Sequence, residues 1–195
     1  GLVGSEMCIR DRLGVVGESG SGKSVTSMSM LRLNDMAGAY VPDGKIFLNS
    51  KRIGRTELTQ ADSVTLSEVR GREIGMIFQE PMTSLNPVHT IGKQIAEVLI
   101  EHEKISVTDA RERSIAMLEL VGIPSPKRRV DNYPHEMSGG MRQRAGIAMS
   151  MLVEPSLLIA DEPTTALDVT MEEQIIHLIR ELQKETDTTI TVSYT

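Results

Sequence analysis

Apolar residues occur in short runs near both ends of the chain and at helical spacing through its middle. The short runs predict buried strands, and the alternation around Ile46 and Leu48 predicts a strand with one apolar face. The segments predicted as strands are 13–16, 45–53, 73–79 and 156–160, and a further strand begins at Thr189.

Apolar residues at intervals of three and four predict helices between these strands. Ile115, Leu118 and Val121 share one stripe of such a helix. The glycine and proline that follow, Gly122 and Pro124, end it. The segments predicted as helices are 23–33, 91–102, 109–121, 138–153 and 170–185. Strand, helix and strand recur at both ends, which indicates an α/β fold interrupted by a helical subdomain.

The composition narrows the possible functions. The chain has 195 residues, of which 39% are hydrophobic and 25% charged, as in a globular domain. Its net charge of −6 and its 3% of aromatic residues argue against nucleic acid as a partner. The longest mainly apolar run, 145–153, is too short to span a membrane, which takes about 20 residues. The one cysteine, Cys8, excludes an internal disulfide and favours a reducing compartment.

Both ends of the chain resemble translated sequencing-linker read-through, GLVGSEMCIRDR at 1–12 and VSYT at 192–195. The first segment has neither helical nor alternating periodicity. We therefore expect both segments to be non-native and the chain to be an internal fragment of a longer gene product. A natural but irregular terminus is the alternative.

Eight consecutive residues fit the pattern G-x-x-x-x-G-K-[ST], namely Gly17, Glu18, Ser19, Gly20, Ser21, Gly22, Lys23 and Ser24. They lie between a predicted strand and a predicted helix, where backbone N–H groups can turn towards a phosphate at the positive end of the helix. Lys23 would reach the β and γ phosphates of a nucleotide, and Ser24 would coordinate Mg²⁺. A glycine–serine loop without a ligand is the alternative.

An acid pair follows the predicted strand 156–160. Ligands of parallel sheets bind beyond the carboxyl ends of the strands, where this pair falls. Asp161 can belong to the coordination shell of Mg²⁺, and Glu162 can polarise a water for in-line attack on a γ phosphate. Taken alone, two acids after a strand are more often a solvated turn or a helix cap, but the phosphate loop favours the functional interpretation.

A third motif, Ser138-Gly139-Gly140, begins a predicted helix. Ser138 is a suitable N-cap, and the two glycines allow a phosphate or another backbone to approach closely. Alone the motif predicts only a helix cap. The place of the motif in the sequence is more informative, because Ser138 follows the phosphate loop and precedes Glu162 by 24 positions.

These three motifs, together with Gln79 after a strand and Thr-Ala-Leu-Asp at 165–168, resemble the ATP-binding subunit of ABC transporters. The similarity extends from about residue 13 to about residue 189. Segments 77–87, 133–144 and 160–170 are similar to the oligopeptide, dipeptide, nickel and glutathione branch of bacterial importers.

The resemblance implies a P-loop NTPase core with a mainly parallel sheet, an inserted α-helical subdomain and a small antiparallel β portion. Residues 13–85 and 154–191 would form the nucleotide-binding core. Residues 86–153 would form the helical subdomain that carries the Ser-Gly-Gly motif.

The resemblance also assigns roles to residues. ATP and Mg²⁺ would be the cofactors, with Gln79 touching the metal or the attacking water. The Ser138–Gly140 motif would bind the γ phosphate of ATP held by a second ATP-binding subunit, so that two chains enclose two nucleotides. Asp168 would lie across that dimer interface. The helices and loop between Gln79 and Ser138 would contact transmembrane permease subunits.

The function implied is ATP hydrolysis that powers a peptide-type importer, with the subunit peripheral on the cytoplasmic face of the inner membrane. A solute-binding protein would be an indirect partner, and no nucleic acid is expected. Two alternatives stay open from the residues. One is a soluble ABC-type ATPase that acts on DNA or ribosomes, and the other is an inactive fragment.

Three departures from the family pattern bear on these expectations. Met141 stands where many members carry Gln. The histidine expected after the last strand has no counterpart, and His135 and His177 lie in other segments. The adenine-stacking aromatic expected before the phosphate loop is also missing, since Tyr40 follows the loop.

Overall fold

The computed structural model describes residues 12–18, 20–38, 41, 43–79, 85–163, 169–186 and 188–194. The strands are β1 Arg12–Val16, β2 Phe47–Ser50, β3 Gly54–Glu57, β4 Ile74–Ile77, β5 Leu157–Asp161 and β6 Thr189–Tyr194. Four of them form a parallel sheet in the order β1–β6–β5–β4, and β2 and β3 form a separate antiparallel pair. The predicted fold class, a mainly parallel sheet with a small antiparallel portion, is confirmed.

The helices follow the predicted segments, with two short additions. They are α1 Lys23–Met30, α2 Ser63–Glu68, α3 Ile91–Glu103, α4 Val107–Leu120, α5 Pro126–Arg129, α6 Gly139–Met151 and α7 Val169–Glu185. Four begin at a side chain that accepts a hydrogen bond from a first-turn N–H, which satisfies a donor that the helix leaves free. These N-caps are Asp62, Thr90, Ser106 and Ser138. The N–H of Thr65 holds the pKa of the Asp62 carboxyl below its ordinary value.

Two predicted elements in the first half differ in extent. The segment predicted as a single strand, 45–53, contains the shorter strand β2, which forms a hairpin with β3. The chain reverses between the two strands, and Gly54, the first residue of β3, has a φ of +70° that favours glycine. The helix predicted at 23–33 ends at Met30, because Arg32 adopts a left-handed conformation with a φ of 51°. A 3₁₀ turn, Leu33–Ala37, follows it.

Three further segments form structure that the sequence pattern did not predict. Val69–Glu73 is a π-helical segment between α2 and β4. The basic segment 127–129 lies in the one-turn helix α5, which Pro126 begins. Strand β6 continues to Tyr194, through residues expected to be a non-native end.

Strand β5 lies at the centre of the core, with all five of its residues buried. The main apolar cluster joins this strand to α3, α4, α6 and α7. The predicted stripe of α4 is confirmed, since Leu118 and Val121 are buried and Ile115 packs partly buried against the same cluster. A second cluster lies between β4, β5 and the hairpin and includes Leu48 and Leu58.

Helix α6 lies directly on strand β4. A Cβ added to Gly75 would come 2.4 Å from the carbonyl oxygen of Ser150, which is too short for any side chain. The hydroxyl of Ser150 donates to the carbonyl of Met76 at 2.8 Å, so the helix also satisfies an acceptor on the edge strand. Because β4 leads to Gln79, this contact fixes α6 relative to the predicted site.

We expect Gly75→Ala to destabilise the fold by about 1–3 kcal/mol, since the added methyl group meets a backbone carbonyl that cannot rotate away. Gly14→Ala is the matched control, because Gly14 also lies in a strand but has nothing within 4 Å of an added Cβ. Urea unfolding should show the control within about 0.5 kcal/mol of the parent chain. Equal midpoints for both variants would contradict the close approach of α6 and β4.

Candidate nucleotide-binding site

The predicted site residues of three segments meet at one edge of the parallel sheet. Loop 17–22 follows β1, Gln79 follows β4, and Asp161 is the last residue of β5. Parallel strands end at a common edge, so residues distant in sequence converge there.

The glycine-rich loop adopts a backbone that glycine permits. Gly20 and Gly22 have φ angles of 80° and 95°, in the left-handed region where other residues are disfavoured. Gly22 is also the N-cap of α1, so the loop delivers its backbone to the positive end of that helix. This geometry is the one in which N–H groups can surround a phosphate.

Lys23 points back over this loop. Its Nζ donates to the carbonyl of Gly17 at 2.6 Å and to that of Glu18 at 3.1 Å. The same atom lies 3.3 Å from Oε1 of Glu162, and the two side chains are only 6% and 12% exposed. A shielded ion pair therefore joins the phosphate loop to the end of β5.

Glu162 also contacts Gln79. Nε2 of Gln79 donates to Oε2 of Glu162 at 3.0 Å. The backbone of Glu162 has a φ of 44°, an uncommon conformation for a residue with a side chain. Lys23, Gln79 and Glu162, which the sequence analysis selected from three separate segments, thus form one hydrogen-bonded group.

Ser193 is a site residue that sequence reasoning missed. Its buried hydroxyl donates to Oδ1 of Asp161 at 2.7 Å and accepts from the N–H of Glu162 at 2.9 Å. The register pairs Asp161 with Ser193 on the neighbouring strand, and that pairing is not visible in the sequence. The detectable signal was a polar residue in an apolar strand, but it lay in the segment expected to be non-native.

The residues predicted to hold Mg²⁺ offer suitable ligand atoms. Ser24, Gln79 and Asp161 supply a hydroxyl, an amide and a carboxylate oxygen, the hard ligands that this cation prefers. Asp161 is 3% exposed, and the amide nitrogen of Gln79 faces Glu162, which leaves its oxygen for a cation. The donor set therefore fits the metal.

The Ser-Gly-Gly motif lies at the start of α6. Ser138 caps the helix by accepting from the N–H of Met141 at 3.3 Å, and Gly139 is exposed with nothing within 4 Å of an added Cβ. Two predicted site residues, Ser19 and Asp168, lie outside the described residues. The loop, the lysine and the acid pair are therefore brought together, while the recorded contact of Ser138 stays within its own helix.

A second missed residue connects these two regions. Gln143, 2% exposed in α6, donates from Nε2 to the carbonyl of Pro163 at 2.7 Å. Pro163 directly follows Glu162. The sequence signal was weak, since one glutamine within an Arg-Gln-Arg run resembles part of a solvated face.

A strand, a glycine-rich loop and a helix, with a lysine facing an acid at the end of another strand of the same parallel sheet, define a P-loop nucleotide-binding fold. The sequence model of the family described as "ABC transporter" matches residues 8–165, and the chain belongs to that family. Among the described residues, no helix is long and apolar enough to cross a membrane.

Similar proteins refine the family assignment. The chain is 54% identical over 180 residues to the oligopeptide transport ATP-binding protein OppD of Bacillus subtilis, an alignment that covers 92% of the chain and 49% of OppD. It is 49% identical over 176 residues to the dipeptide transport ATP-binding protein DppD of the same organism, covering 90% and 51%. It is 50% identical over 177 residues to the glutathione import ATP-binding protein GsiA of Pectobacterium atrosepticum, covering 91% and 28%. The predicted resemblance to this branch is confirmed, and the chain spans about half the length of OppD and DppD.

Solved structures agree with the fold. A dimeric post-hydrolysis structure of the ATP-binding cassette MJ0796 bound to ADP and Pi superposes with a TM-score of 0.81 at 25% identity. The match covers 98% of this chain and 78% of that one.

Replacing the Ser193 hydroxyl tests how the acid pair is held. Ser193→Ala removes the donor to buried Asp161, and we expect a loss of about 1–3 kcal/mol in the free energy of unfolding. Ser67→Ala is the control, since Ser67 is exposed in α2 and its loss should change little. Urea unfolding of both variants measures the difference, and a Ser193→Ala curve equal to the control's would contradict the hydroxyl bridge.

Proposed function

We propose that this chain is the ATP-binding and ATP-hydrolysing part of a peptide-type ABC importer. The observation that carries the proposal is the Lys23–Glu162–Gln79 group at the mouth of the phosphate loop. The names of the relatives, all peptide or glutathione transport proteins, favour an importer over an ATPase that acts on DNA or ribosomes.

The geometry suggests how the chain's own residues act on ATP. Lys23 would exchange the carbonyls of Gly17 and Glu18 for β and γ phosphate oxygens, because a phosphate is the stronger acceptor. That exchange also removes the ammonium from Glu162, whose carboxylate could then take a proton from a water. The water oxygen would bond to the γ phosphorus as the bond to the β–γ bridging oxygen breaks, giving ADP and phosphate.

Gln79 would orient this water or the metal, since its amide already lies 3.0 Å from the Glu162 carboxylate. Ser24, Asp161 and the amide oxygen of Gln79 would hold Mg²⁺, which when bound neutralises phosphate charge. Loop residues 17–22 would supply backbone donors to the phosphates.

A second copy, or a homologous subunit, would complete the site. Exposed Gly139 and half-buried Gly140 begin a helix whose first N–H groups are available to a phosphate, and Ser138 adds a hydroxyl. In this arrangement Ser138, Gly139 and Gly140 contact ATP held by the partner, with Asp168 at the interface. The MJ0796 structures, which are dimeric, support the pairing of two ATP-binding subunits.

The helical region 86–153 would bind the permease subunits, and we place the subunit at the cytoplasmic face of the membrane. A groove of about 620 Å³ lies between α3 and α4. Its apolar lining includes Ala96, Ile100 and Val107, and its charged lining residues are Lys93, Glu97, Glu101 and Arg111. An amphipathic permease segment could fill such a groove.

Glu162→Gln tests the hydrolytic step. We expect ATP binding to persist while the rate of phosphate release falls by about 10²–10⁴-fold, because the variant keeps the shape but loses the base. Fluorescent-nucleotide titration and a phosphate-release assay measure the two quantities. Glu112→Gln, at an exposed position of α4, is the control that should hydrolyse ATP like the parent.

Two outcomes would overturn this proposal. Undiminished hydrolysis by Glu162→Gln would show that another group activates the water. Absence of Mg²⁺-dependent ATP affinity in the parent chain would favour the inactive fragment.

Val107→Asp tests the permease groove. Val107 is 71% exposed at the start of α4, so its loss should leave folding intact while a buried charge disfavours docking. We expect co-purification with co-expressed permease subunits to fall at least tenfold. The matched control is Val64→Asp, 75% exposed in the first turn of α2, and equal retention of permease by both variants would contradict the assignment.

A further inference from the structure

Gln143 is buried in α6, and its amide is directed at the carbonyl of the residue after Glu162. The side chain is 2% exposed, and its Nε2 donates to Pro163 O at 2.7 Å. A buried amide is retained at low cost only when it is hydrogen-bonded, and this bond pairs one N–H of the side chain with a carbonyl. The bond links two segments that are 20 positions apart.

The bond lies next to a residue with an unfavourable backbone conformation. Glu162 has a φ of 44°, a conformation that persists in a residue with a side chain only when its surroundings hold it. Ser193 holds the N–H of Glu162 on one side. Gln143 holds the carbonyl of the next residue, so the turn is fixed from both directions.

Helix α6, which carries Gln143, is itself held against the sheet by two contacts. The helix contacts β4 at Gly75 and donates from Ser150 to the carbonyl of Met76 at 2.8 Å. Strand β4 leads to Gln79, which donates to Glu162. The helix is therefore connected to Glu162 in two ways. Gln143 binds the backbone next to Glu162, and strand β4, which contacts the helix, leads to Gln79, which binds the carboxylate of Glu162.

The same helix begins at Ser138, five residues before Gln143. We propose that Gln143 is a positioning residue that ties the Ser-Gly-Gly end of α6 to Glu162, so that the carboxylate is held in place for hydrolysis by the helix that meets the partner's nucleotide. This inference rests on the proposed function and adds to it how the two regions are joined.

The role predicts a specific kinetic effect. A displacement of about 1 Å in a reacting group can lower a rate by about 10²-fold. We therefore expect Gln143→Leu, which keeps the volume but loses the donor, to lower kcat for ATP by about 10–100-fold. The KM and the affinity for a fluorescent ATP analogue should change less than twofold, because the phosphate loop is untouched.

Gln143→Glu separates positioning from packing. An ionised carboxylate cannot donate to Pro163 O, whereas a protonated carboxyl can. We expect hydrolysis by this variant, relative to the parent, to rise as the pH falls, because protonation restores the donor. Because a buried carboxylate also destabilises the fold, hydrolysis is corrected for the folded fraction measured at each pH, and a merely structural role would leave no recovery after that correction.

Gln183→Leu is the matched control. Gln183 is also 2% exposed and donates to a backbone carbonyl, that of Thr188 at 3.2 Å, but it lies in α7 outside the proposed machinery. Urea unfolding of each variant gives its folded fraction, by which each kcat is corrected. A fall in kcat for Gln143→Leu without a matching fall for Gln183→Leu supports the inference.

Three results would overturn it. One is equal corrected kcat values for the parent and Gln143→Leu, and another is equal losses in both leucine variants. If Gln143→Leu does not fold, a pH profile of Gln143→Glu parallel to that of the parent is the third. The proposed function is tested separately by the parent and by Glu162→Gln, so hydrolysis in the parent with an unaffected Gln143→Leu rejects the inference alone.

Discussion

The burial of β5 on both faces is the constraint on which the rest of the molecule depends. A strand covered on both faces and flanked by parallel neighbours must be apolar along its length, so its first polar side chain comes where it leaves the sheet. That residue is Asp161, and Glu162 follows it. The position of the acid pair is thus a consequence of core formation, and the loop after β1 and Gln79 after β4 reach it because their strands are parallel to β5.

The positive charge at this edge of the sheet is local and is opposite in sign to the net charge of the chain. The net charge is −6, yet the phosphate loop has a shielded ammonium on Lys23 and the positive end of α1. The ammonium is balanced by Glu162 and the carbonyls of Gly17 and Glu18. In the proposed function, nucleotide binding and release of the carboxylate would be linked through one cation, because Lys23 cannot satisfy both sets of acceptors fully.

Much of this arrangement follows from the sequence, since apolar runs, glycines and acids are local signals. The stripe of Leu118 and Val121 and the convergence of Lys23 with Glu162 were predictable for that reason, whereas Gln79 was predicted only from the family resemblance. Ser193 and Gln143 were not, because their partners depend on strand register and on where α6 crosses the sheet. The hairpin strand β3 was missed as well, since Gly-Arg-Thr-Glu has no apolar alternation and pairs only because β2 is beside it.

The left-handed backbone of Glu162 has a consequence for the evolution of the chain. A glycine at this position would relieve the conformational penalty, so selection for thermal robustness alone would favour losing the carboxylate. The residue instead keeps a backbone that opposes folding locally, and the surrounding bonds offset it. If Glu162 has the role proposed above, variants that gain heat resistance at the expense of turnover should accumulate at this turn, and the residue found there in a homologous chain would indicate whether that chain is still under selection for hydrolysis.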